Sequence, residues 1–187
     1  MATKAVANPR TNTKTNSTAD APQGVPGLSR KVSQDVAKRL QLRLHSLNDL
    51  QLTLKHAHWN VVGPHFIGVH TMLDTQVEGV RAMVDALAER MATLGVVPVG
   101  TPGALVAERS WTDYDVMRAD VTVHLVALDH VYDGVIEDHR EVMDAIEDDL
   151  VTQDLLVGQV GELEHYQWFV RAHLENATGT LAAPSEA

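Results

Sequence analysis

Between Ser29 and Asn60, the residues Val36, Leu40, Leu44, Leu47, Leu50 and Leu54 recur at intervals of four or three. That is the repeat of a long amphipathic helix with one apolar stripe. A helix cannot bury such a stripe by itself, so the chain must supply partners of similar length. Gly63-Pro64 breaks the first helix, and Phe66 to Leu94 reads as a second, interrupted in composition only by Gly68 and Gly79. Gly95 suits the position just past its end. Residues 96–112 form a connection punctuated by Pro98, Gly100, Pro102 and Gly103, with room for a short helix over Pro102 to Arg109. Thr112-x-x-Asp115 resembles a capping box and predicts a third helix from there to about Ile146. Its stripe is Val121, Leu125, Leu128, Val131, Val135 and Val142. Asp148-Asp149 marks a break, and a fourth helix runs to about Asn176 with Leu155, Val160, Leu163, Trp168, Phe169 and Leu174 as its apolar set. Gly158 and Gly161 each cost that helix about 0.5–1 kcal/mol relative to alanine, which suggests close packing against another helix. Four helices with one long middle crossover predict an all-α four-helix bundle.

At 187 residues the chain is one domain's worth. Residues 1–27 combine Thr, Asn, Ala, Pro and Gly without a hydrophobic period and read as a flexible tail; 178–187 read as a short second one. The bundle is expected over 28–177. No apolar run approaches the ~20 residues of a membrane span, and the first residues lack the apolar stretch of a secretory signal. Cysteine is absent, which excludes thiolate ligands and fits a cytoplasmic chain. Charge is unevenly placed. Residues 1–60 hold nine Lys/Arg against Asp20, Asp35 and Asp49, while 61–187 hold six against 22 acids, which together give the net −10. Such asymmetry predicts surfaces of opposite sign, or simply a well-solvated face.

One set of side chains suggests chemistry. His70 and Asp74 lie one turn apart on the second helix, and so do Asp85 and Glu89. The eleven residues from Asp74 to Asp85 are close to three turns, so both pairs share a stripe but stand about 16 Å apart along the axis. A metal–ligand bond spans only about 2.0–2.2 Å. One chain therefore cannot close both pairs on one ion, whereas an antiparallel copy across a two-fold axis would bring one pair against the other and create two identical sites. With His58 at the end of the first helix, the donors are imidazole and carboxylate without sulfur, a set suited to Fe(II), Zn or Mn. An acid pair four residues apart is also common on a solvated helix face. All five residues together, with Trp59 beside His58, favour the metal reading.

The segments HWNVVGPHFIGVHTMLD and DALAERMATLG, which contain these residues, resemble the ferroxidase motif of the Dps miniferritins, the DNA-binding proteins from starved cells. The resemblance covers roughly residues 28–177. It implies a ferritin-like bundle, with the short helix in the crossover, assembling through two-fold dimers into a hollow homo-dodecamer. It implies that His58, His70 and Asp74 of one subunit and Asp85 and Glu89 of its partner hold two irons per site, with Glu89 bridging. The implied activity is oxidation of Fe(II), preferably by hydrogen peroxide and otherwise by oxygen, with ferric mineral stored inside and DNA protected from oxidative damage. Trp59 then has two compatible roles, in packing or in intercepting oxidising equivalents beside the iron. Glu147, Asp149 and Asp154 resemble the acids lining a three-fold iron-entry pore, although a helix dipole would attract the same residues.

Family members bind DNA through cationic tails, and here the N-terminal tail offers only Lys4, Arg10 and Lys14. Weak, salt-sensitive binding is expected, with some association with the nucleoid. If binding is strong, the basic face of the first helix around Lys31, Lys38, Arg39 and Arg43 carries it. The competing reading is a structural DNA-compacting protein whose metal site is incidental, or occupied by zinc. A metal site inside the bundle is a further rival, but it needs paired Glu-x-x-His motifs. Only Glu162 to His165 fits that pattern, so both read as ordinary side chains. His45, His56, His65, His124, His130, His139 and His173 complete no ligand spacing and read as surface or buffering groups.

Overall fold

A computed structural model describes residues 24–175. The chain forms α1 (Arg30–Asn60), β1 (Val61–Val62), α2 (Phe66–Thr93), α3 (Pro102–Glu108), β2 (Ala119–Asp120), α4 (Val121–Asp144) and α5 (Leu150–Leu174). The long helices pack as two hairpins, α1 on α2 and α4 on α5, joined chiefly through α1 and α4. Short turns make each hairpin antiparallel, and the long link through α3 carries the chain from one to the other. Among the described residues no helix is long and apolar enough to cross a membrane.

The six-residue stripe of α1 is buried throughout, with Leu40, Leu47 and Leu54 completely inaccessible. Ser29 caps this helix, its hydroxyl accepting from Val32 N at 3.2 Å, and α2 ends at Gly95 with φ of 78°. The third long helix starts later than Thr112 predicts. Asp120 is its cap, accepting from Thr122 N at 3.0 Å, because side chains hold the segment before it in an irregular path. Trp111 Nε1 donates to Asp49 at 2.7 Å, Arg109 pairs with Asp113, and His56 Nε2 donates to Val116 O. A two-residue parallel bridge then ties Val61 to Ala119 and Val62 to Asp120, fastening the α1–α2 turn to the start of α4.

On α5 the stripe is Leu156, Leu163, Tyr166, Val170 and Leu174; Trp168 and Phe169 are not part of it. Trp168 lies about 200° around the helix from Tyr166; it is 59% exposed and packs at a tilt beside Phe169 and His165. Gly158 and Gly161 have open space where a Cβ would sit, so close packing does not explain them. Gly79 of α2 is the close approach: an added Cβ would overlap the Tyr166 hydroxyl and lie 2.9 Å from its Cζ.

Candidate metal centre

The α1–α2 turn brings His58 and His70 face to face. Their rings stack with centroids 3.6 Å apart and planes at 23°. His58 Nδ1 donates to the carbonyl of His70 at 2.9 Å, and His70 Nδ1 donates to the carbonyl of His58 at 3.0 Å. A carbonyl only accepts, so both protons sit on Nδ1 and both Nε2 atoms keep lone pairs for a cation. His58 is buried, while His70 is half-buried with Phe66 5.0 Å from its ring.

Asp74, one turn further along α2, completes the group, and the three side chains present donor atoms within 4.8 Å of one another. Lys55 Nζ donates to Asp74 Oδ1 at 2.5 Å. That hydrogen bond, helped by the positive field of Lys55, and of His58 and His70 only when their rings are protonated, and opposed by desolvation, holds the carboxyl below its ordinary range. A carboxylate that already attracts an ammonium suits a cation, and the bare imidazole nitrogens beside it fit a borderline metal such as Fe(II). Lys55 carries no ligand chemistry that would mark it in the sequence. Its place three residues before His58, and so on the same helix face, was the available signal.

Asp85 and Glu89 are exposed further along α2, and this chain does not bring them to the other three. The turn itself is apolar and open: Trp59 is 70% and Ile67 68% exposed. Trp59 therefore fills no core within the chain.

The three acids expected near a pore separate. Glu147 and Asp154 are exposed, but Asp149 is buried and caps α5. Arg90 Nη2 reaches its two carboxylate oxygens at 2.9 and 2.7 Å, and Thr152 Oγ1 donates to it at 2.5 Å. Burial pushes the Asp149 carboxyl up, yet the Thr152 and Arg90 hydrogen bonds outweigh it and leave a net lowering. Its role is an internal ion pair, which corrects the channel expectation for this residue. Arg43 likewise does not belong to an exposed basic face, being only 5% exposed. His45, His124 and His139 are fully buried rather than surface groups. Glu162 accepts a hydrogen bond from Tyr166 within α5. Lys4, Arg10 and Lys14 lie outside the described residues.

Residues 37–179 match the family model described as Ferritin-like domain. A protein of Mycolicibacterium smegmatis named DNA protection during starvation protein is 61% identical over 158 residues, covering 84% of this chain and 86% of that protein. The solved structure of Mycobacterium smegmatis Dps superposes with a TM-score of 0.85 at 58% identity, over 89% of this chain and 95% of that one. DpsA14 from Streptomyces coelicolor gives 0.84 at 58% identity, over 87% and 98%. The chain belongs to the Dps miniferritins, within the ferritin-like fold.

Proposed function

We propose that this chain is a ferroxidase subunit of a hollow iron-storing dodecamer, and that each catalytic site is shared across a two-fold dimer. The observation that carries the reading is the His58–His70 pair, whose reciprocal hydrogen bonds leave two Nε2 lone pairs beside the Asp74 carboxylate. Three ligands on one chain leave a site open, and Asp85 and Glu89 of an antiparallel copy supply the rest. The exposed Trp59 and Ile67 beside the ligands support an interface there, since apolar surface of that kind is normally covered.

Fe(II) is the substrate, two ions per site. Hydrogen peroxide takes one electron from each and, with two protons, leaves as two waters, so no hydroxyl radical is released. Anionic oxygen ligands favour the ferric product because the added positive charge meets carboxylate. Asp74, Asp85 and Glu89 supply that charge, while His58 and His70 hold the two irons in register through their fixed tautomers. Lys55 neutralises Asp74 until iron arrives and must then release it. Ferric mineral accumulates within the shell, cytoplasmic in location, where removing iron and peroxide together protects DNA. Glu147 and Asp154 are the acids left to line an entry route.

Replacing Asp85 and Glu89 together by Ala tests this reading. The variant should assemble like the parent, with peroxide-dependent Fe(II) oxidation reduced to the rate of free iron. Oxidation at the parental rate would exclude the shared site.

A further inference from the structure

Before α3, the crossover between the two hairpins is tied to α1 at one residue. Gln41 Nε2 donates to the carbonyl of Val99 at 2.8 Å, and Val99 N donates back to Gln41 Oε1 at 3.0 Å. Pro98, beside it, has no N–H to offer. Among the described residues, Val97 to Gly100 make no other hydrogen bond. The two bonds also fix which way the Gln41 carboxamide faces, because its nitrogen must meet the carbonyl and its oxygen the N–H.

His45, one turn further along α1, depends on that orientation. Its ring is buried, and Nε2 lies 3.0 Å from Gln41 Nε2. An amide nitrogen only donates, so the ring nitrogen accepts and the His45 proton sits on Nδ1. That Nδ1–H is buried without a partner, which leaves neutral His45 with a single hydrogen bond. Glu108 Oε2, at the end of α3, stands 3.6 Å from the same Nε2. It is too far for a hydrogen bond but placed for an ion pair. Among the described residues, Glu108 is the only charged group in ion-pair contact with the ring. Lys38 of α1 and Met91 of α2 share the groove that Gln41 and Glu108 line. Asp49, one turn beyond His45, is engaged by Trp111 and Arg109, and Asp138 of α4 by Arg43.

A second proton on His45 must go to Nε2, where it sets N–H against N–H at Gln41. The contact becomes attractive again when the carboxamide turns over and presents Oε1 to the ring. Turning over places the amide nitrogen against Val99 N and the amide oxygen against the Val99 carbonyl, so both crossover bonds are lost. Val99 is 44% exposed, so its freed groups reach water, whereas the ring is 1% exposed and has no such recourse. Glu108 supplies the counter-charge. We propose that Gln41 and His45 form a proton-operated latch: neutral His45 holds the crossover on α1 at Val99, and protonated His45 releases it and pairs with Glu108. The latch is separate from the metal centre, since His45 lies about 20 Å along α1 from His58.

Hydrogen exchange of the assembled full-length protein, read residue by residue by fragmentation mass spectrometry at about pH 8 and about pH 5, tests the latch. Protection of the Val99 amide, corrected for the intrinsic pH dependence of exchange, should fall at least about fivefold in acid, as loss of its one acceptor requires. The Leu105 amide, which donates to Thr101 O within α3, is the internal reference and should keep its protection. His45→Gln should hold Val99 equally at both pH values, and Gln41→Ala should leave it unprotected at both. Val99 protection that does not change with pH, or a loss shared equally by Leu105, would overturn the proposal. So would a pH response that survives in His45→Gln. If that variant fails to fold, the Val99 and Leu105 amides of the parent decide the matter alone.

Discussion

Arg90→Met is the sharpest perturbation the fold offers. In the parent, the guanidinium makes two hydrogen bonds to Asp149 and a third, through Nε at 2.8 Å, to Thr152 Oγ1. The two side chains are 12% and 3% exposed. Removing the cation strands a buried carboxylate, a change that costs about 3–5 kcal/mol. Asp149 still caps α5 and still meets its dipole, which returns about 0.3–1 kcal/mol. A net loss of about 3 kcal/mol remains, or a fall of about 6–12 °C in thermal midpoint for a chain of this size. Calorimetry on parent and variant at one fixed protein concentration measures it. Asp149→Asn added to Arg90→Met should recover part of the loss, since Asn caps as well as Asp and carries no charge. Acid gives an independent check. Without Arg90, burial acts on Asp149 with less opposition and raises its carboxyl, so the gap between variant and parent should narrow as the pH falls toward 4. A midpoint lowered by less than about 2 °C, or a double variant no better than the sum of the two singles, would refute the buried-pair account.

Burial holds the His139 imidazole at about 4 against an ordinary 6.5, with Arg43 adding to the effect. The unfolded chain therefore takes up this proton first, so the contribution is complete above 6.5 and is lost as pH falls from there toward 4. At pH 5 the loss is about 2 kcal/mol per chain, and His139→Gln should flatten the urea-midpoint profile across that window. Gly79→Ala gains about 1 kcal/mol of helix propensity but drives a methyl into Tyr166. Denaturant unfolding should show a net destabilisation of about 1–2 kcal/mol, because overpacking typically costs more than that gain. Deleting residues 1–22, which carry Lys4, Arg10 and Lys14, should abolish DNA retardation in low-salt gels, and retention would move the contact to Lys31, Lys38 and Arg39 on α1.

The long helices were legible from their period: the Val36-to-Leu54 stripe marks α1, and Gly63-Pro64 marks the break that follows its end at Asn60. The start of α4 was not. Thr112 and Asp115 imitate a capping box, and only contacts from distant residues, Asp49 to Trp111 and His56 to Val116, hold that stretch out of a helix. Trp168 and Phe169 are apolar by type, but their angle around α5 turns them away from the core. At the site, spacing along α2 sets Asp85 and Glu89 apart from His70 and Asp74, and the fold keeps the two pairs apart within one chain. Spacing could not foretell the tautomers of His58 and His70, which depend on backbone carbonyls twelve residues away. Nor could sequence distinguish Asp149 as a cap from Asp149 as a channel group. That distinction rests on where Arg90 ends up, 59 residues earlier in the chain.

Subunit mixing tests the shared site most directly. Asp74→Ala and Glu89→Ala cages, each inactive alone, are dissociated, combined in equal amounts and reassembled, and Fe(II) oxidation by peroxide is followed under anaerobic conditions. In a mixed dimer, one of the two sites draws both defective residues and the other draws neither. Random pairing makes half of the dimers mixed, so about a quarter of the parental sites and activity should return. If the mixture stays as inactive as its components while reassembling normally, the ligands do not come from two chains.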